Sequence, residues 1–393
     1  MIGSDKKKRP LIGTPAYDNW KAFLDGEPLI NSCEYLMHSD ACLSGEVTTG
    51  FEPYLFFNLV PIDYQRGRVR ATAALRLSLH VDFGTPPMER TEQSRYHGGW
   101  IPDELAALAS LKCGVRFRAG GKTREFGSNG DPKGRPVGHY APPEPTLNIG
   151  SLRGFVLPSV TGEHSMMPIA KMKTFVELSP EQAIVLVRSA RLYQDALWLA
   201  ESEPNLSWLM LVAAVETAAT YWFSSKDSSL DRLRQERPEF FQYLENTKIK
   251  GLAKRVADEF VNSIGATKKF VEFLLKYLPP PPEKRPDLFV QVEWTPENLT
   301  KVFRQIYRCR SKALHDGMPF PAPMCEPPFP LKSGQAFAER PIGLAASAGG
   351  GTWKIKDTPM LMHTFEYISR NALNSWWDSM VAPTDNSENQ ITE

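Results

Sequence analysis

The sequence predicts an α+β protein in two parts: a mixed, mainly-β N-terminal domain over residues 1–168, followed by an all-α helical bundle over residues 179–381. Three observations point there. The chain has 393 residues, more than one hydrophobic core of roughly 100–200 residues organises. Val69, Ala71, Ala73, Leu75, Leu77 and Leu79 occupy every second position, the period of a half-buried strand. At Ser179-Pro180-Glu181-Gln182 the character changes to that of a helix start. A serine N-cap is followed by proline in the first turn, and by a glutamine placed to accept from the N-cap amide.

In chain order, residues 53–60 (PYLFFNLV) and 68–83 (RVRATAALRLSLHVDF) read as antiparallel strands. Residues 102–112 (PDELAALASLK) read as a short helix with acids in its first turn. Residues 115–126 (VRFRAGGKTREF) read as a hairpin turning at Gly120-Gly121. Arg116, Arg118 and Arg124 would share one face of it, first a solvated strand face and second an RNA-contact patch. Glycine and proline over 128–145 predict a surface loop.

Beyond Ser179 the reading is helical: one helix over 180–202, a second over 206–223, and two or three short ones over 231–278, broken at Pro238, Gly251 and Gly265. Thr295 caps a long helix that runs to about Leu314 and stops at Asp316-Gly317. Thr358 caps the last, through about Met380. Gly349-Gly350-Gly351 lacks the lysine of a phosphate loop and reads as linker. Trp376-Trp377 reads as packing, Lys6 to Arg9 as a disordered basic tip, and 382–393 as a disordered acidic tail.

Composition narrows the function classes. With 42% hydrophobic and 23% charged residues the chain can build packed cores. Lys+Arg 46 against Asp+Glu 45 leaves a net charge of +1, so no global field draws in a polyanion and any nucleic-acid affinity must be local. The basic start MIGSDKKKRP is followed by no apolar run of the signal-peptide kind. The longest uninterrupted apolar stretch, 208–215, has eight residues, short of the roughly 20 that cross a bilayer. The five cysteines are odd in number and form no Cys-x-x-Cys pair. The expected compartment is therefore a reducing cytoplasm. His38, His80, His97, His139, His164 and His363 show no metal-ligand spacing, so neither metal nor cofactor is expected.

The chemically informative segment is 299–317, LTKVFRQIYRCRSKALHDG. At about 100° per residue, Leu299, Val302, Phe303, Ile306, Ala313 and Leu314 form an apolar stripe. Lys301, Arg304, Arg308, Lys312 and His315 share the opposite face. Arg310 falls inside the stripe, where a guanidinium is costly without a partner. Glu216, the one charged residue of the apolar segment SWLMLVAAVETAATYWF, is the candidate partner. The pair is either a structural ion pair or an arginine oriented toward a ligand.

Residues 307–317, YRCRSKALHDG, resemble the signature of HEPN domains (higher eukaryotes and prokaryotes nucleotide-binding), in which four to six residues separate an arginine from a histidine. Arg310 and His315 have the four-residue spacing and Arg308 the six. The helix WLMLVAAVETA, and more weakly DELAALASLKCGVRFRAGG, are similar to Apea-like HEPN proteins. The resemblance covers about 179–380. It implies a helical bundle that dimerises and cuts RNA without metal, leaving a 2′,3′-cyclic phosphate and a 5′-hydroxyl.

Carried over by position, the resemblance implies that His315 is the general acid/base and that Arg310 sits on the scissile phosphate. Glu216, Tyr307, Arg308 and Ser311 support them, and Lys301, Arg304 and Lys312 contact RNA. Ser311 stands where active members carry Asn, Asp or His. The family further implies a defence or abortive-infection effector whose N-terminal domain answers a protein or ligand trigger, or else a non-catalytic module binding nucleotide, RNA or a protein. In an unbroken helix Arg310 and His315 lie about 140° apart. They meet on one phosphate only if the helix unwinds or a second copy supplies one of them.

Overall fold

The computed structural model describes residues 9–59, 65–84, 91–127, 131–137, 144–147, 154–224, 228–247, 249–260, 265–329 and 336–381. The predicted tail over 382–393, His139 and the Lys6 to Lys8 part of the basic tip lie outside them. Arg9 pairs with Asp25 at 2.6 Å. The fold is mixed α+β with an antiparallel sheet. The chain divides into two compact units, one built from residues 1–146, 161–187 and 373–393, the other from 147–160 and 188–372.

The first unit contains α1 (Pro15–Leu24), β1 (Asn31–Ser39), β2 (Ala41–Ser44), β3 (Tyr54–Asn58), β4 (Arg70–Leu79), α2 (Ile101–Cys113), β5 (Arg118–Glu125), β6 (Arg135–Pro136) and β7 (Gly162–Ser165). Five strands form the antiparallel sheet in the order β3-β4-β1-β5-β6. β2 and β7 form a separate parallel pair. The alternation over 69–79 is β4, whose Ala73, Leu75 and Leu77 are buried. α2 is buried almost all round, as its run of Leu and Ala requires. Its first-turn Glu104 is covered too, and accepts from the Ala16 backbone N–H at the start of α1 (3.0 Å) and lies 2.9 Å from His97 Nε2. Trp376 and Trp377 are packed inside this unit, Trp377 edge-on to Phe175 and 3.8 Å under the Lys112 ammonium.

Three expectations are corrected here. Gly120-Gly121 is no turn: β5 continues through it alongside β1 with a register shift, Tyr35 pairing with Lys122 and Met37 with Ala119. A Cβ on Gly120 would stand 2.5 Å from His38 Cε1, so the glycine serves a close approach of strand to ring. Arg116 is no surface residue: it is fully buried and its Nη1 donates to Asp40 Oδ2 at 2.7 Å. The loop reading of 128–145 holds a two-residue strand, β6, although 128–130 and 138–143 lie outside the described residues.

The second unit contains the later part of α3 (Pro180–Leu199), then α4 (Pro204–Ser224), α5 (Ser229–Glu236), α6 (Pro238–Asn246), α7 (Leu252–Phe260), α8 (Ala266–Lys276), α9 (Pro296–His315), a hairpin of β8 (Ala345–Ala348) and β9 (Gly351–Lys354), and most of α10 (Met362–Val381). The predicted capping box forms, Ser179 N–H donating to Gln182 Oε1 (2.7 Å) and Gln182 N–H to Ser179 Oγ (3.2 Å). Thr295 Oγ1 likewise accepts from the Asn298 amide. Where two or three short helices were expected, four form among the described residues, because Pro238 opens a helix instead of only ending one. Thr358 is not an N-cap; its hydroxyl donates to the Ile355 carbonyl, and α10 begins at Met362.

α4 is long and apolar enough to cross a membrane by length and composition, although Ser207, Glu216, Thr217 and Thr220 limit its uninterrupted apolar run to eight residues. Here it is a core helix. Trp208 is sandwiched between the rings of Phe320 and Phe365, at 5.3 and 5.2 Å, and its indole N–H donates to the Met324 carbonyl.

Two buried histidines make stability pH-dependent. Burial holds His38 in β1 below its ordinary pKa, opposed weakly by Glu144 at 4.0 Å. Burial does the same to His363, whose Nε2 lies 2.7 Å from the Ala338 carbonyl. Between these lowered values and the ordinary ~6.5 the unfolded chain binds more protons than the folded one. This contribution is therefore complete above ~6.5 and lost as pH falls through the folded values. The thermal midpoint is expected to drop between pH 7 and pH 5, with a shallower drop in His363→Asn. Calorimetry showing no change across that interval refutes the assignment.

Candidate functional site

α9 carries every residue of the RNA-cleaving expectation except Glu216. Its sequence makes the helix amphipathic, and Leu299, Val302, Phe303, Ile306 and Tyr307 are buried. Arg310 continues that stripe by one turn. Its Nη2 meets Glu216 Oε2 of α4 at 2.5 Å, and Tyr307 donates from its phenol to Glu216 Oε1 at 2.7 Å. The guanidinium also stands 5.4 Å from the Tyr307 ring centroid. Both oxygens of the one carboxylate in an apolar helix face are thus used, the arrangement that makes a half-buried charge tolerable. Burial first, then the Glu216 carboxylate, raises the Tyr307 phenol well above the usual range, so it stays a donor.

Removing that carboxylate has a calculable cost. Glu216→Gln leaves Tyr307 and Arg310 facing a neutral amide, and the loss of charge-assisted bonds is worth about 2 kcal/mol. Urea unfolding is expected to show that loss. A midpoint equal to wild type means the trio contributes nothing to the fold.

The apolar stripe ends earlier than its sequence implies. Ala313 is half-buried and Leu314 is 52% exposed, so the last turn of α9 lies outside the core. Lys301, Arg304, Arg308, Lys312 and His315 are all exposed. Among the described residues the His315 imidazole makes no hydrogen bond and no ion pair. The helix does not unwind before it: α9 continues through His315, then stops with Gly317 at φ 65° and the Met318 amide on the Lys312 carbonyl. Arg310 and His315 therefore diverge within one chain. Arg308, Lys312 and His315, spaced i, i+4 and i+7, share one face within about 60°. Ser311 is half-buried.

Arg308 and Lys312 also line a cleft of about 870 Å³. Trp353 of the β8–β9 hairpin, Glu326, Cys309 and Cys325 line it as well. Burial raises Cys309, and burial with the neighbouring Glu326 carboxylate pushes Cys325 up to about 12, so both stay protonated at neutral pH.

The hairpin was missed as structure because 349–351 reads as linker. Gly349 and Gly350 are its two-residue turn, at φ 56° and 84°. Gly-Gly between two short runs was the available signal. Trp353 pairs in register with Ala346, and its ring lies where a Cβ on Gly351 would stand, 2.6 Å from Trp353 Cη2. Gln305 of α9 donates to the Asp357 carbonyl, tying the segment after the hairpin to α9.

Comparison of the chain with protein-family models, with curated proteins and with solved structures gives no match in any of the three.

Proposed function

We propose that the second unit is an RNA-binding, metal-independent endoribonuclease of HEPN type, with His315 as general acid/base and Arg308 on the scissile phosphate. One observation carries the reading: a histidine whose imidazole is free of partners among the described residues, an arginine and a lysine lie on one exposed helix face beside a cleft. Arg310, first assigned to the phosphate, is held by Glu216 and becomes a positioning residue that fixes the last turns of α9.

In the reaction, His315 takes the proton of a ribose 2′-hydroxyl as its oxygen bonds to the adjacent phosphorus. The P–O5′ bond breaks, and the leaving oxygen collects a proton from the equivalent histidine of a second copy of the chain. The Arg308 fork binds the phosphate and stabilises its added charge. Products are a 2′,3′-cyclic phosphate and a 5′-hydroxyl.

The engagement of Arg310 also favours a second reading, a non-catalytic HEPN module that binds RNA on the same basic face. Incubation of end-labelled total RNA with the full chain in excess EDTA separates them. Cyclic-phosphate ends with wild type, and none with Arg308→Ala of unchanged stability, support the nuclease. Intact RNA that is nonetheless retained by the protein supports the binding module. Cleavage that survives Arg308→Ala but not Arg310→Ala returns the phosphate to Arg310.

A further inference from the structure

Set among mostly apolar and neutral residues, the cleft beside α9 carries three kinds of chemically distinct lining group. Arg308 and Lys312 are cationic, Trp353 presents an indole, and the carboxylates of Glu326 and Asp357 line it as well. A purely basic groove fits any polyanion, but two carboxylates oppose one. The mixture suits a ligand with one anionic end and one neutral, flat end whose N–H groups can donate to a carboxylate. At about 870 Å³ the cleft has the size of small-molecule sites. Its aromatic wall is built: the two-glycine turn sets the hairpin, Ser347 and Thr352 bond across it at 2.9 Å, and the bare Cα of Gly351 leaves room for the Trp353 ring.

We propose that this cleft holds one unpaired nucleotide, its base stacked on Trp353 and its phosphate between Arg308 and Lys312. The inference rests on the proposed reading that the basic face of α9 meets RNA, and it names the substrate class as single-stranded. In an A-form duplex the bases are stacked inside and present no free face to an indole. A splayed base does, and such stacking is tolerant of sequence.

The test is titration of the full chain carrying His315→Ala, so that RNA survives, with three probes: 5′-AMP, a single-stranded RNA octamer, and the same octamer annealed to its complement. The single strand is expected to bind at least tenfold tighter than the duplex. Trp353→Ala is expected to weaken it by about tenfold to a hundredfold, and Trp353→Phe to restore most of that. Tight AMP binding that depends on Trp353, with no gain from the octamer, assigns the cleft to a free mononucleotide and overturns the substrate role. Equal affinity in Trp353→Ala, or no binding of any probe, overturns the proposal outright. The two readings fail separately. RNA cut in a His315-dependent way with Trp353 dispensable removes the subsite alone; Trp353-dependent binding of RNA that wild type never cuts removes the nuclease alone.

Discussion

His315→Ala is expected to lower the rate of the proposed RNA cleavage by about 10²–10⁴-fold, the usual contribution of a positioned general acid/base, and to leave the unfolding transition unchanged. The second half follows from position. His315 is exposed in the last turn of α9, its imidazole with no hydrogen-bond or ion-pair partner among the described residues, and such surface changes stay within about 0.5 kcal/mol. Added imidazole is expected to recover part of the lost rate, because it restores the proton-transfer group and nothing else. Arg308→Lys keeps the charge but not the planar fork, and is expected to fall between wild type and Arg308→Ala. Two residues acting on one phosphate are non-additive, so the double variant loses little more than the worse single one. A His315→Ala enzyme that cuts RNA at the wild-type rate ends the assignment.

The second large effect belongs to the first unit and to stability. Asp40 and Arg116 are both fully buried and meet at 2.7 Å. Asp40→Leu takes this carboxylate away from a guanidinium buried in the core, at a cost of about 3–5 kcal/mol. The double replacement Asp40→Leu with Arg116→Met removes both charges and fills the space, and is expected to be milder than either single change. Urea unfolding of the four proteins closes this cycle. Equal or larger loss in the double variant refutes the claim that desolvation, and not attraction, dominates the pair. Among the described residues Asp40 Oδ1 has no hydrogen-bond partner.

What the sequence determined by itself is what neighbours in the chain decide. The Ser179 to Gln182 box, the Thr295 cap and the end of α9 after His315 depend on groups three or four residues apart. The strand over 70–79 depends on a period of two. These signals are local hydrogen bonds and side-chain spacing, and they survive without knowledge of the rest.

Tertiary packing decided the remainder. Gly-Gly has two common meanings, a turn or a close approach; the His38 ring selected the second at Gly120, while a positive φ at both residues selected the first at 349–350. Arg116 looked like a strand-face arginine because its partner, Asp40, lies 76 residues away. Arg310 broke the apolar stripe of its helix, and that local conflict was legible. Glu216, 94 residues earlier and the one charge in its apolar segment, was the candidate partner the sequence offered, and it does take up that charge; only the fold could show that Tyr307 shares the carboxylate. Only the fold, too, could bring Trp353 and Arg308 to the lining of one cleft. A charge inside a stripe announces that a partner must exist, because burying it alone costs too much, but which residue supplies the partner is fixed by which helices pack together.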